Sequence, residues 1–160
     1  MNPTKNDLSE KTRSAAADLM NERLADLIDL RMQTKQAHWN VKGPHFIALH
    51  ELFDDAYEEL GGHIDSVAER LVAIGGTAFG TIAAVSKATT LPAYPHNITS
   101  GRDHVEALSN AIAKTGKLIR AAIDQSNEIG DADTADLFTG ISRSLDQRLW
   151  FVEAHLQGNS

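Results

Sequence analysis

His50 and Asp54 lie four residues apart, and so do Asp65 and Glu69, all between Pro44 and Pro92. On an α-helix, residues four apart share a face, so each pair can converge on one cation. Imidazole nitrogen combined with carboxylate oxygen, with open positions left over, suits Fe(II) or Mn(II), and zinc is also compatible. The two pairs are placed symmetrically. The point midway between Glu59 and Leu60 bisects both His50–Glu69 and Asp54–Asp65. Two antiparallel copies of one helix, related by a two-fold axis there, set Glu69 opposite His50 and Asp65 opposite Asp54. Within one straight helix, residues 54 and 65 are about 16 Å apart, so no single ion reaches both pairs. A dimer removes the difficulty and creates two identical sites, each shared between subunits. The pattern reads as a metal site that exists only in an assembly. Gly61 and Gly62 fit the same picture, since they would face Glu58 and Tyr57 across the axis and allow close approach.

The elements that must carry these residues follow from the four prolines, Pro3, Pro44, Pro92 and Pro95, and from apolar periodicity. A first helix is expected from about Lys11 to Trp39, with Met20, Leu24, Leu27 and Ile28 in its apolar stripe. His38 falls on nearly the same face. Gly43-Pro44 breaks the chain, and a second helix runs to about Ile74, where Gly75-Gly76 ends it. Residues 77–100 form a long connection, with a short helix expected over Thr81 to Ala88. Such a connection lets the next helix cross the bundle. The third helix carries Val105, Leu108, Ile112, Ile119 and Ile123. The fourth, after Gly130, carries Phe138, Ile141, Leu145, Leu149, Val152 and Leu156. With no strand-like alternation, the expected fold is all-α: a four-helix bundle over 11–157, a polar N-terminal tail 1–10 and a C-terminal tail 158–160.

Composition narrows the function. A chain of 160 residues is one ordinary domain. With no cysteine, disulfides, Cys zinc sites and thiol catalysis are excluded. The polar start resembles no signal peptide and no apolar run has membrane-spanning length, so a cytoplasmic location without membrane partners is expected. A formal charge of −7 argues against a surface that coats nucleic acid and suits one that handles cations.

Two other motifs are set aside. His50-Glu51-Leu52-Phe53-Asp54 approximates the H-E-x-x-H metalloprotease pattern but lacks a downstream third ligand, and Glu51 reads as a surface residue. No glutamate is followed three residues later by histidine, so an E-x-x-H di-iron site inside one bundle is not expected. His45, His63, His96, His104 and His155 are expected on the surface. His38 and His50 stand apart because they flank the Pro44 break and can converge across it.

The residues from Lys35 through His38-Trp39-Asn40, Gly43-Pro44, His50 and Asp54 resemble the signature of the Dps proteins, the mini-ferritins. Asp65-Ser66-Val67-Ala68-Glu69-Arg70 continues the likeness, as does Ser142 to His155 with Asp146, Leu149-Trp150-Phe151 and Glu153. The resemblance covers nearly the whole chain after the first ten or so residues. It implies a ferritin-like bundle, with the short extra helix between the second and third helices, assembled as a hollow dodecamer in the bacterial cytoplasm or nucleoid. It implies ferroxidase centres at two-fold interfaces, oxidation of Fe(II) preferably by hydrogen peroxide, and storage of ferric mineral without an organic cofactor. The family's ligands fall on His38, His50 and Asp54 of one subunit and Asp65 and Glu69 of its mate, in agreement with the symmetric spacing.

Three further expectations come with it. Trp39 resembles the family's tryptophan near the centre, as an electron donor or radical trap, the alternative being interface packing. Asp131, Asp133 and Asp136 cluster where the fourth helix begins. Capping accounts for at least one of them, and the resemblance puts this region near a three-fold axis, where aspartates would form a negative, iron-admitting pore. The N-terminal tail offers DNA only Lys5, Lys11 and Arg13, two of them at the start of the first helix. DNA binding is therefore expected to be weak or absent, with a nucleoid DNA-binding role as the alternative and a plain helical bundle as the third reading.

Overall fold

Four of the five helices start at a residue whose side chain caps the first turn, and two stop at a glycine in the left-handed region. The computed structural model describes residues 1–158, and among these the regular structure is five helices. They are α1 (Glu10–Asn40), α2 (Phe46–Ala73), α3 (Ile82–Ala88), α4 (Gly101–Glu128) and α5 (Ala132–Glu153). Ser9, Thr81, Ser100 and Asp131 cap α1, α3, α4 and α5, each accepting from a backbone N–H three residues on. Such caps satisfy donors that the first helical turn leaves unpaired. Gly75 and Gly130, at φ +94° and +83°, take the left-handed conformation just past α2 and α4.

Short links make α1–α2 and α4–α5 antiparallel hairpins, and the hairpins pack through α1 against α4 and α2 against α5. Residues 74–100 form the crossover, with α3 laid on α1. The all-α bundle with its extra short helix is therefore present as expected. Its centre is Phe53, Phe138, Met20, Leu24, Leu27 and Ile119, each under 2% exposed. Full burial of one such side chain contributes about 1.5–3 kcal/mol, which is what holds two hairpins together. Ile28, Ile123 and Leu149 flank this centre instead of sitting in it.

Polar side chains of α1 fasten the crossover, which apolar periodicity does not reveal. Asp26 is fully buried and accepts from the Thr90 N–H at 2.8 Å and its hydroxyl at 3.0 Å, with Arg23 on its other oxygen. Asp29 accepts from Thr89, and Gln33 donates to the Pro92 carbonyl. A second clamp holds the α1–α2 turn: Lys42 N–H donates to Thr99 O at 3.0 Å, and Gly101 N–H donates to Lys42 O at 3.1 Å.

The N-terminal segment is docked on the protein. Asn2 N–H donates to Gly75 O at 2.6 Å, while Arg13 donates to Leu8 O and Ile74 O. Two surface expectations are corrected here. His104 is 1% exposed, packed where α4 starts beneath Tyr94, and His63 is half-buried against α5. His45, His96 and His155 are exposed. The reading of Gly61 also changes. A side chain there would meet the Arg31 guanidinium at 3.0 Å, so the glycine makes room for Arg31 of its own chain. Space is open at Gly62. In the C-terminal tail, residues 159–160 lie outside the described residues.

Candidate metal centre

His38 sits in the last turn of α1 and His50 in the second turn of α2, so the Gly43-Pro44 reversal brings them side by side. Their rings stack with centroids 3.7 Å apart and planes 21° apart. His38 Nδ1 donates to His50 O at 2.8 Å, and His50 Nδ1 donates to His38 O at 2.9 Å. A carbonyl can only accept, so both rings carry the proton on Nδ1. Each neutral ring then keeps its lone pair on Nε2, which makes no hydrogen bond among the described residues. Fixing one ring nitrogen to leave the other basic is how proteins prepare metal-ligating histidines.

Asp54 lies one turn beyond His50, with Oδ1 at 3.8 Å from His38 Nδ1. Its carboxylate forms an ion pair with Lys35, and the hydrogen bond from that ammonium holds the Asp54 pKa below the ordinary carboxylate value. Lys35 went unnoticed as a functional residue, although its position three residues before His38 places it on the same face of α1. Lys35 and Arg31 also lie over the Tyr57 ring, at 4.6 and 3.9 Å from its centroid. An ammonium of the same chain thus neutralises the Asp54 carboxylate.

Asp65 and Glu69 are exposed on α2 and engage in no ion pair or hydrogen bond among the described residues. They are far along the helix from His50 and Asp54. No group of three or more His, Asp or Glu side chains of one chain is arranged to hold a metal ion among the described residues. One chain brings together two imidazoles and a lysine-paired carboxylate; its second acid pair stands apart.

The aspartate cluster divides. Asp131 is 1% exposed, accepts from the Thr134 N–H and hydroxyl, and pairs with Arg70 at 2.8 Å. It is a cap locked by a neighbouring cation, and this corrects its assignment to the pore. The Asp133 side chain is 83% exposed, 3.6 Å from Arg70, and Asp136 is exposed. Trp39 is 61% exposed and stacks on no other ring. Of the tail cations, Lys5 and Lys11 are exposed and Arg13 is held by carbonyls.

A polar cluster between α2 and α5 also escaped the sequence. His63 Nε2 lies 2.8 Å from Ser144 Oγ, Ser144 donates to Glu59, and Arg148 pairs with Glu59. Burial pushes the His63 pKa down against the opposing pull of Glu59. The Glu59–His63 spacing of four was available in the sequence; the α5 partners were not.

The ferritin-like domain family matches residues 17–159. The DNA protection during starvation protein of Agrobacterium fabrum is 52% identical over 157 residues, covering 98% of this chain and 97% of that protein. The chain belongs to the Dps family of ferritin-like proteins. A solved Dps from Mycobacterium smegmatis matches with a TM-score of 0.93 at 33% identity, covering 98% of this chain and 95% of that one. Dps from Microbacterium arborescens, solved in its high iron form, matches at TM-score 0.87 and 31% identity over 94% and 97% of the two chains. The family's general role is DNA protection and iron storage, with a broad oxidoreductase character.

Since Lys35 keeps Asp54 ionised, replacing it shifts the Asp54 titration. A folded-state pKa depressed by Lys35 means that Asp54 stays charged to lower pH than an ordinary carboxylate. In Lys35→Met its pKa rises, so the Asp54 carboxyl-carbon NMR titration moves to higher pH than in the wild type. Coincident titration curves would rule out Lys35 as the cause.

Proposed function

We propose that the protein is a ferroxidase whose centre is completed by a second copy of the chain. His38, His50 and Asp54 of one subunit and Asp65 and Glu69 of its mate bind substrate Fe(II). The observation that carries this reading is the reciprocal hydrogen bonding of His38 and His50, which leaves both Nε2 lone pairs uncommitted, with Asp54 one turn further along α2. The uncommitted acids Asp65 and Glu69, symmetric to that group about the middle of α2, supply the other half.

Imidazole and carboxylate donors hold Fe(II) without filling its coordination shell, leaving room for an oxidant and a second iron. Hydrogen peroxide is the preferred oxidant. Two Fe(II) ions each give up one electron, and with two protons the peroxide O–O bond is cleaved to two waters, so no hydroxyl radical escapes. Asp54 and Glu69 bridge or orient, while His38 and His50 supply nitrogen donors through Nε2. Trp39, one residue from His38 and open to solvent, serves as accessory electron donor or radical trap.

The shell is a dodecamer in the cytoplasm, and ferric mineral is stored inside. Asp133 and Asp136 provide the negative funnel that admits iron, with Asp131 beneath them as the structural cap. Protection of DNA then arises mainly from removal of iron and peroxide. Few N-terminal cations are free to meet phosphates, since the segment is docked through Asn2 and Arg13.

Three outcomes test this reading. A His38→Ala/His50→Ala subunit and an Asp65→Ala/Glu69→Ala subunit are each inactive alone, but co-assembled mixed dimers regain partial ferroxidase activity through one intact site. Verified mixed dimers that stay at background would refute the shared centre. Asp133→Asn/Asp136→Asn slows iron uptake several-fold at low ionic strength while assembly is unchanged; equal uptake rates remove both residues from the path. In a mobility-shift titration at about 150 mM salt, where charges are screened beyond about 8 Å, DNA is bound weakly or not at all. Tight complexes abolished by deleting residues 1–10 would instead favour the nucleoid-binding role.

A further inference from the structure

Between the α1–α2 turn and the start of α4 lies a cavity of about 510 Å³. Sites for small organic ligands run to about 300–1,000 Å³, so this one has room for a ligand as well as for water. Backbone contacts fix its walls. Lys42 N–H donates to Thr99 O at 3.0 Å and Gly101 N–H donates to Lys42 O at 3.1 Å, which lays the turn along residues 99–101. A side chain at Gly101 would lie 2.7 Å from Leu49 Cδ1, so α4 starts hard against α2 there, whereas space is open at Gly43.

The lining combines apolar surface with uncommitted positive charge. Leu49 and Val105, both buried, present the edge of the core to the cavity. Lys42 and Arg102 line it too, and neither side chain forms an ion pair or hydrogen bond among the described residues. No aspartate or glutamate is found among the described residues around it. His155 donates from Nδ1 to Phe151 O at 2.9 Å, which leaves its Nε2 as the nitrogen open to a ligand.

Two permanent cations beside an apolar wall select an anion that carries an apolar body. A carboxylate brings a single charge to the pair. A phosphomonoester brings about −1.5 to −2 near pH 7 and three acceptor oxygens. Arg binds such a group as a two-pronged donor and Lys as a point charge. At the lower end of that charge the ester keeps one P–OH, a donor that His155 Nε2 can accept.

We propose that this cavity binds phosphomonoesters with an apolar or aromatic body, the phosphate on Lys42 and Arg102 and the body against Leu49 and Val105. The site is separate from the proposed iron centre, since none of His38, His50, Asp54, Asp65 and Glu69 lines it. The phosphodiesters of a DNA backbone, with one charge each and no P–OH, match it less well.

The test is calorimetric titration of the full chain in its native assembly, with phenyl phosphate as the probe beside inorganic phosphate and benzoate. Phenyl phosphate binds about tenfold tighter than inorganic phosphate, which has no apolar body to bury, and about tenfold tighter than benzoate, which lacks the second charge. Lys42→Met and Arg102→Met each weaken phenyl phosphate about tenfold, as expected for a lost hydrogen bond to a charged group. Thr99→Trp, which keeps the carbonyl that holds Lys42 and fills the cavity with its side chain, abolishes binding. A short single-stranded oligonucleotide without a terminal phosphate does not compete. If Lys42→Met or Arg102→Met disturbs assembly, Thr99→Trp and the comparison of ligands decide. No binding of phenyl phosphate to the wild type, equal affinity for inorganic phosphate, or unchanged binding in Thr99→Trp overturns the proposal. Competition by the oligonucleotide as strong as that of phenyl phosphate itself overturns it as well, by showing a site for phosphodiesters.

Discussion

The exchange of two hydrogen bonds between His38 and His50 is the constraint around which the rest of the chain is arranged. Each Nδ1–H is committed to the other residue's carbonyl, at 2.8 and 2.9 Å. That demands an antiparallel α1–α2 hairpin with a turn of fixed length, and Gly43 at φ +115° followed by Pro44 delivers the reversal. The same two bonds satisfy a carbonyl in the last turn of α1 and orient both rings within 21° of parallel. Structural necessity and ligand preparation are therefore one interaction. Removing the His50 ring would strip a hydrogen bond from the last turn of α1 as well as a nitrogen from the proposed centre.

Charge is distributed so that one chain alone is electrostatically unfinished. Asp54 is balanced by Lys35, and Asp131 by Arg70, yet Asp65 and Glu69 form no ion pair among the described residues. Carboxylates lined up one turn apart repel one another in the absence of counter-charge. A second copy that brings imidazoles, together with bound iron, relieves this in the proposed assembly. Apolar surface points the same way. Ile82 is 90% exposed and Phe79, Val72 and Met32 are about half exposed, an amount of open hydrophobic surface suited to burial against other subunits.

Helices and their breaks were legible because the signals are local: Gly43-Pro44 between the first two helices, Gly75 and Gly130 as stops, an aspartate cap where the last helix begins, and apolar spacing between them. The His50–Asp54 and Asp65–Glu69 pairs were legible for the same reason, as short-range spacing on one helix. What escaped depends on partners distant in sequence. His104 reads as a surface histidine until Tyr94, ten residues earlier, is placed over it. Gly61 reads as a contact point for another subunit until Arg31, thirty residues earlier, is found filling the space above it. Asp131, Asp133 and Asp136 look alike in sequence, and only the approach of Arg70 from α2 separates the buried cap from its exposed neighbours.

The docked N-terminus bears on how an acidic protein protects DNA. Asn2 is bonded to Gly75, whose positive φ exists to end α2, and a side chain at Gly75 would lie 2.6 Å from the Asn2 carbonyl oxygen. Arg13 reaches Ile74 at the same helix end, so a cation that might have met a phosphate instead completes the C-terminus of α2. Folding thus consumes charge that a mobile arm would need. The net charge of −7 per chain, which already counts the exposed Lys5 and Lys11, repels a polyanion and attracts cations. In the proposed reading, electrostatics that disfavour coating the duplex favour collecting Fe(II), so the two routes to protection pull against each other.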